Sequence, residues 1–219
     1  MKQACDSLND AHSCGIVHRD IKPGNIYLCQ LGCHYDFVKV LDFGLVRYQG
    51  GRSRDQTVLT NAGVITGTPT FAAPEIAMEE ESVDGRADIY SLGCVAYWLL
   101  TGKFVFEGIS AMELFLHHIQ TPPVPPSERI EAPISPELEA IVMACLKKDP
   151  SKRPSSAREL LSLLDDCRCL EPWTRERAER WWKEHDPLAG LGFHDSELAE
   201  GSPLDPETFA TLSLRNEID

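Results

Sequence analysis

Apolar positions along this chain repeat first with helical and then with strand spacing. Over residues 1–14, Ala4, Leu8 and Ala11 share one face and Gly15 stands ready to stop the turn, which predicts a helix. Residues 25–29 and 37–41 are short apolar stretches joined by a Gly-containing connection, the pattern of a hairpin. Residues 45–68 show no period and are rich in Gly, Arg, Ser, Thr and Asn, so they predict a long loop of the kind that usually carries function. Residues 85–101 are apolar on nearly every face and end at Gly102, as expected of a helix at the centre of a domain.

Four further helices follow from the same reasoning. Residues 110–120 carry Met112, Leu114, Phe115 and His118, and the proline-rich run after them cannot continue the helix. Ser135 with Pro136 behind it starts another, with Leu138, Ile141, Val142 and Cys145 inward and Asp149-Pro150 as its end. Residues 155–166 present Leu160, Leu161, Leu163 and Leu164, and residues 171–185 predict a last helix with Trp173, Trp181 and Trp182. Residues 186–219 hold eight acidic residues against the single Arg215, which predicts a disordered acidic tail.

Composition narrows the function classes. A formal charge of −13 over 219 residues argues against a phosphate-neutralising nucleic-acid surface and against adhesion to anionic lipid. The longest apolar run, Cys94 through Leu100, is too short to span a bilayer, and nothing like a secretory signal opens the sequence, so a cytoplasmic location is expected. The cysteines are scattered, several at core positions of helical patterns, as reduced cysteines are. Cys29 and Cys33 with His34, or Cys167 and Cys169, lack a second pair at zinc spacing, which argues against a metal role.

One segment carries chemistry: His18-Arg19-Asp20-Ile21-Lys22-Pro23-Gly24-Asn25. Phosphoryl transfer needs a carboxylate near the attacking hydroxyl, a cation on the moving phosphate and oxygen ligands for magnesium. An Asp, a Lys two residues on and an Asn five residues on can supply all three from one irregular loop. Asp42-Phe43-Gly44 follows a predicted strand and offers a further carboxylate for a metal that bridges phosphates.

These motifs resemble those of protein kinases. His18 to Asn25 resembles the catalytic loop, and Asp42-Phe43-Gly44 the metal-binding motif. Gly67-Thr68-Pro69-Thr70-Phe71-Ala72-Ala73-Pro74-Glu75 resembles the end of the activation segment. Asp88-Ile89-Tyr90-Ser91-Leu92-Gly93 resembles the start of the buried central helix, and Lys148-Asp149-Pro150-Ser151-Lys152-Arg153-Pro154 the motif near the domain's end. Five motifs in the family's order over residues 1–167 are a specific match. Ile21, Gly24 and Ala72-Ala73 are similar to the wording found in eukaryotic-like Ser/Thr kinases of bacteria.

The resemblance implies a mainly α fold, the kinase lower lobe with a small β-hairpin beside the catalytic loop. It implies a kinase portion at 1–167, a short helical extension at 168–185 and the acidic tail beyond. It implies ATP and Mg2+ as cofactors and proteins bearing Ser or Thr as substrates. Asp20 would orient the substrate hydroxyl and Lys22 would stabilise the transferred group, its presence suggesting Ser/Thr rather than Tyr specificity. Asn25 and Asp42 would hold magnesium, and Tyr27 would lie beneath the adenine. Thr68 would bridge the catalytic loop to the substrate-binding segment. Glu75 would pair with Arg153, Asp88 would accept from the catalytic-loop backbone, and His18 would stack with Phe43. Arg19 before Asp20 implies docking of a phosphorylated activation-loop residue, with Thr60 the first candidate and Thr57 the second.

The family's upper lobe supplies a Gly-rich loop, a strand lysine and its partner glutamate, and only 17 residues precede His18. No Gly-x-Gly-x-x-Gly occurs in the sequence. Little or no transfer is therefore expected from the chain unless an upper lobe or another kinase partner completes the cleft. Three readings stand at this point: a chain derived from an active kinase, a catalytically dead module that binds proteins, and a truncated or mis-started gene product.

Overall fold

A computed structural model describes residues 1–31, 34–43, 69–80, 82–167 and 173–185. The chain divides into two units, Met1–Pro172 and Trp173–Asp219. Gly44, the whole of the expected loop at 45–68 with Thr57, Thr60 and Thr68, and the acidic tail lie outside the described residues.

The first unit is mainly helical with one two-stranded antiparallel sheet. Helix α1 (Lys2–Ser13) leads through an extended stretch and a single 3₁₀ turn (Pro23–Asn25) into β1 (Ile26–Leu31) and β2 (His34–Val40). A 3₁₀ turn (Pro69–Phe71) precedes α2 (Pro74–Ala77), and α3 (Arg86–Thr101), α4 (Ala111–Gln120), α5 (Pro136–Cys145) and α6 (Ala157–Asp166) complete the unit.

Helix α3 forms the axis. Every residue from Ala87 to Tyr97 is buried, so no face of it is left for solvent until Leu99. Fully burying side chains such as Ile89 and Leu92 is worth roughly 1.5–3 kcal/mol each. Gly93 lets α5 approach closely, because a Cβ there would lie 2.6 Å from Cys145 Cβ. Gly102 ends the helix in the left-handed region (φ 66°) and donates its N–H to the Trp98 carbonyl at 2.8 Å. Around this axis, α1 packs on α6 and β2, and α2 on α4.

The helix starts are written locally. In α4 Ser110 accepts the Glu113 N–H at 3.2 Å, while Glu113 reaches back to the Ile109 N–H at 2.8 Å. In α6 Ser156 accepts the Glu159 N–H at 3.1 Å and Glu159 takes the Ser155 N–H at 2.7 Å. Both are reciprocal caps of the Ser-x-x-Glu type, and losing such a serine costs ~1 kcal/mol.

The hairpin pairs Ile26 with Val40, Tyr27 with Lys39, Leu28 with Val38 and Cys29 with Phe37, with an irregularity before Leu31 meets His34. Gln3 of α1 holds its outer edge: its side chain donates to the Asp36 carbonyl at 2.7 Å and accepts the Val38 N–H at 3.0 Å. An otherwise open strand edge is thereby partly closed by a side chain that mimics backbone.

Several boundaries differ from the sequence reading. Both strands extend through polar residues, to Leu31 in β1 and back to His34 in β2, because cross-strand pairing rather than alternation sets their length. Helix α5 ends at Cys145, before Asp149-Pro150, and Asp149 caps a separate 3₁₀ turn (Pro150–Lys152) by accepting the Ser151 N–H at 2.9 Å. Met112 and Leu163 face solvent at 48% and 38% exposure. The buried thiols of Cys5 and Cys145 are pushed up to about 11 and about 12, chiefly by desolvation, which keeps them as inert packing groups.

The second unit contains α7 (Arg175–Glu184), shorter than the 171–185 span and capped by Thr174. Within it the Arg177 guanidinium lies 5.3 Å from the Trp173 ring, and Trp181 stacks on His185 at 4.6 Å. Among the described residues no helix is long and apolar enough to cross a membrane.

Candidate active site

Three elements converge where the extended stretch after α1 meets the start of α3 and the end of β2. Asp88, in the first turn of α3 and fully buried, takes the His18 N–H at 2.8 Å and the Arg19 N–H at 2.7 Å. His12 of α1 adds a third contact, its Nε2 2.8 Å from Asp88 Oδ2. Arg19 sits in the left-handed region at φ 66°, which costs roughly 1–2 kcal/mol for a residue with a Cβ. The Asp88 carboxylate holds that bend in place.

His18 is fully buried beside it. The Asp20 N–H points at Nδ1 from 3.3 Å, so the ring proton belongs on Nε2, which donates to the Leu41 carbonyl at 2.8 Å. Its ring meets Phe43 with centroids 4.7 Å apart and planes tilted by 59°. One imidazole thus ties the loop after α1 to the end of β2.

The bend turns Asp20, Lys22 and Asn25 toward one another. Lys22 Nζ is 2.8 Å from Asp20 Oδ2. Asn25 Nδ2 donates to the Asp20 carbonyl at 2.8 Å and to Asp20 Oδ2 at 3.2 Å. Because the amide nitrogen is committed to Asp20, the Asn25 amide oxygen is directed away from that carboxylate. The Leu41 N–H donates to the Asn25 carbonyl at 2.9 Å, so the end of β2 lies alongside Asn25. Asp42 comes next, exposed and itself left-handed at φ 62°. An amide oxygen and a carboxylate are hard donors that suit Mg2+, which takes one or two protein ligands and completes its shell with water and phosphate oxygens. Tyr27 lies on β1, 49% exposed.

Glu75, at the start of α2, and Arg153 form a buried bidentate pair, with Nη1–Oε1 2.6 Å and Nη2–Oε2 2.8 Å. Arg153 also donates to the carbonyls of Lys147 at 2.7 Å, Lys148 at 2.9 Å and Arg86 at 2.9 Å. Every donor of the guanidinium is used to join α2, α3 and the turn after α5.

Sequence reasoning missed His12 and the cluster of His118, Tyr90 and Lys148. The signal for His12 was its spacing from Leu8, which sets a polar ring on the apolar stripe of α1. For His118 it was a histidine at an inward position of α4. Neither partner was readable, since Asp88 is 76 residues from His12 and Thr70 is 48 from His118.

Comparison with known proteins bears on what this geometry serves. A model of the protein kinase domain matches residues 1–164. The chain belongs to the protein kinase family. It is 44% identical over 158 residues to the serine/threonine-protein kinase Pkn1 of Myxococcus xanthus, covering 71% of this chain and 22% of that protein. It is 40% identical over 158 residues to pkn3 of the same organism, with 72% and 28% covered. With PknB of Mycobacterium leprae it shares 41% identity over 157 residues, 72% of this chain and 24% of PknB. The chain thus spans about a quarter of the length of the curated relatives it matches, all of them bacterial Ser/Thr kinases by name. Protein kinases generally use ATP and Mg2+ and act on protein substrates.

Proposed function

We propose that this chain is the lower lobe of a Ser/Thr protein kinase, which moves the terminal phosphoryl group of ATP to a Ser or Thr hydroxyl once an upper lobe completes the cleft. The observation that carries this reading is the convergence of Lys22 and Asn25 on the Asp20 carboxylate, at 2.8 and 3.2 Å. Asp20 is held in a single orientation, accepts the hydrogen bond of the incoming hydroxyl and aims its oxygen for attack. Lys22 neutralises charge on the transferred group. Asn25 and Asp42 would hold the magnesium, whose chemistry is to neutralise and bridge the phosphate oxygens. Asp88 and His18 position these groups through the backbone. The boundaries we assign are the kinase lobe at 1–167, a helical extension at 168–185 and the acidic tail at 186–219. An ATP requirement and free cysteines fit a cytoplasmic setting.

Activity also needs the upper-lobe groups that hold the nucleotide. No Gly-x-Gly-x-x-Gly is present, and the apolar residues Tyr27 and Leu41 are each at least 40% exposed beside the site, where an upper lobe would cover them. The dead-module reading is not favoured, because Asp20, Lys22 and Asn25 form one connected hydrogen-bonded set.

Two measurements test the proposal. With Mn2+ in place of Mg2+ and ATP present, paramagnetic broadening in the NMR spectrum is expected to centre on the Asn25 side-chain amide and the Asp42 backbone, and Asp42→Asn should remove it. Broadening that spares both residues would overturn the assignment. In the second, the chain alone with ATP, Mg2+ and a generic Ser/Thr substrate should give little or no transfer. Co-expression with the upper lobe of a bacterial relative should restore transfer, and Asp20→Ala should abolish it. Restored transfer that survives Asp20→Ala would remove Asp20 from its role.

A further inference from the structure

A buried polar cluster on the far side of α3 is used by none of the chemistry above. His118 of α4 is fully buried, and its two ring nitrogens face different elements. Nδ1 is 2.9 Å from the Tyr90 hydroxyl of α3, and Nε2 is 3.0 Å from the carbonyl of Thr70 in the segment before α2. Lys148, in the turn after α5, closes the cluster: its ammonium donates to the carbonyls of His118 at 2.6 Å and His117 at 3.1 Å, and lies 4.4 Å from the Phe106 ring centroid. Phe106 meets the His118 ring edge-on at 5.0 Å.

The bonding admits one tautomer. A carbonyl only accepts, so Nε2 carries the proton and Nδ1 is left to accept from Tyr90. Burial and the nearby ammonium push His118 down to about 4, so the ring is neutral near pH 7. Burial likewise raises the Tyr90 phenol, which remains a donor. The segment that His118 grips is short: Phe71 is buried with its ring edge-on to Phe104 at 5.9 Å, and Ala73 is buried. Its other end is fixed by Glu75 on Arg153, whose guanidinium lies 4.8 Å from the Tyr90 ring. Tyr90 therefore stands behind both attachments.

We propose that His118 is a positioning residue for the substrate-binding segment: by holding the Thr70 carbonyl against α3 and α4 it fixes where residues 69–73 present a bound peptide. This rests on the kinase function proposed above. A residue that only filled space would need neither a fixed tautomer nor a donor aimed at that carbonyl.

The test uses the 219-residue chain and needs no nucleotide. Nitrogen-15 NMR at pH 7 should show His118 as a single tautomer with the proton on Nε2; a proton on Nδ1, or averaged nitrogens, would overturn the proposal. Hydrogen exchange of the Ala72 amide, which bonds the Pro69 carbonyl at 3.2 Å, reports on the segment. His118→Phe should speed that exchange about tenfold and leave the amide of Leu160 in α6 unchanged. His118→Gln, whose side-chain nitrogen can reach where Nε2 stands, should restore most of the protection. No change at Ala72 with Phe, or an equal rise at every amide with both variants, would refute the positioning role. Should His118→Phe fail to fold, Tyr90→Phe carries the test. Nδ1 then loses its donor, so tautomer averaging and faster Ala72 exchange are expected, and an unchanged spectrum and exchange rate overturn the idea. Loss of the Mn2+ signature with the Ala72 response intact would overturn the function proposed above and not the grip on Thr70.

Discussion

Asp88→Asn isolates the restraint on the bend at Arg19 with the smallest change of shape. The carboxylate offers two oxygens to three donors, Arg19 N–H on Oδ1 and His18 N–H with His12 Nε2 on Oδ2. An asparagine keeps one oxygen. Its better orientation leaves the oxygen toward His18 and His12 and turns the amide NH2 onto the Arg19 N–H, two donors in contact. An unsatisfied buried donor costs about 1–3 kcal/mol, and the remaining bonds lose charge assistance, each being a type worth about 1.5–3 kcal/mol. Relaxation of Arg19 from φ 66° returns roughly 1–2 kcal/mol of local strain. The net loss is then about 2–4 kcal/mol. Urea unfolding of the 219-residue chain should show it as a lower midpoint at unchanged slope, and amide exchange at Arg19 should rise more than at α6. An unfolding free energy within ~0.5 kcal/mol of the parent, or equal effects at Arg19 and α6, would refute the claim that Asp88 holds the bend.

Other outcomes follow from the same geometry. Arg153→Ala leaves the Glu75 carboxylate buried without its cation and should cost about 3–5 kcal/mol in denaturant unfolding; a loss under ~1 kcal/mol would contradict the pairing. Gly93→Ala places a Cβ 2.6 Å from Cys145 Cβ and should cost about 1–3 kcal/mol by prying α3 from α5, visible as a lower thermal midpoint. His118, held at about 4 by burial and Lys148 against an ordinary 6.5, binds its proton more readily in the unfolded chain. Its neighbours Tyr90, His117 and Lys148 offer the imidazolium no compensating anion. Its contribution is therefore complete above about pH 6.5, falls as pH drops toward about 4 and is gone below that, roughly 3 kcal/mol in all. Denaturation midpoints should fall less steeply over that window in His118→Gln; parallel profiles would count against it.

Much of this was legible along the chain because the determinants were local. Ser135 with Pro136, and Gly102, announced helix ends through their own backbone preferences, and the unbroken apolar character of α3 announced its central place. The motif from His18 to Asn25 pointed to its chemistry because the loop is short and its side chains need only one bend to meet. What stayed hidden depends on distant partners. Beyond the end of α5 the carbonyls of Lys147 and Lys148 go to Arg153, whose position is fixed in turn by Glu75, 78 residues away in sequence. His12 and His118 looked like residues on apolar faces until the fold brought Asp88 and Thr70 to them. Gln3 gave no sign that it would stand in for a strand, and the polar stretch from His34 to Asp36 gave none that it would be one.

The hairpin acts as a spacer between Asn25 and Asp42, which lie just outside its two open ends. The rung from Ile26 to Val40 and the Leu41 N–H on the Asn25 carbonyl set their separation, whatever joins the strands at the far end. Chain length between β1 and β2 can therefore vary among relatives at no cost to the end that carries Asn25 and Asp42. A single residue added between Val40 and Asp42 would, by contrast, reverse the side that Asp42 faces relative to Asn25.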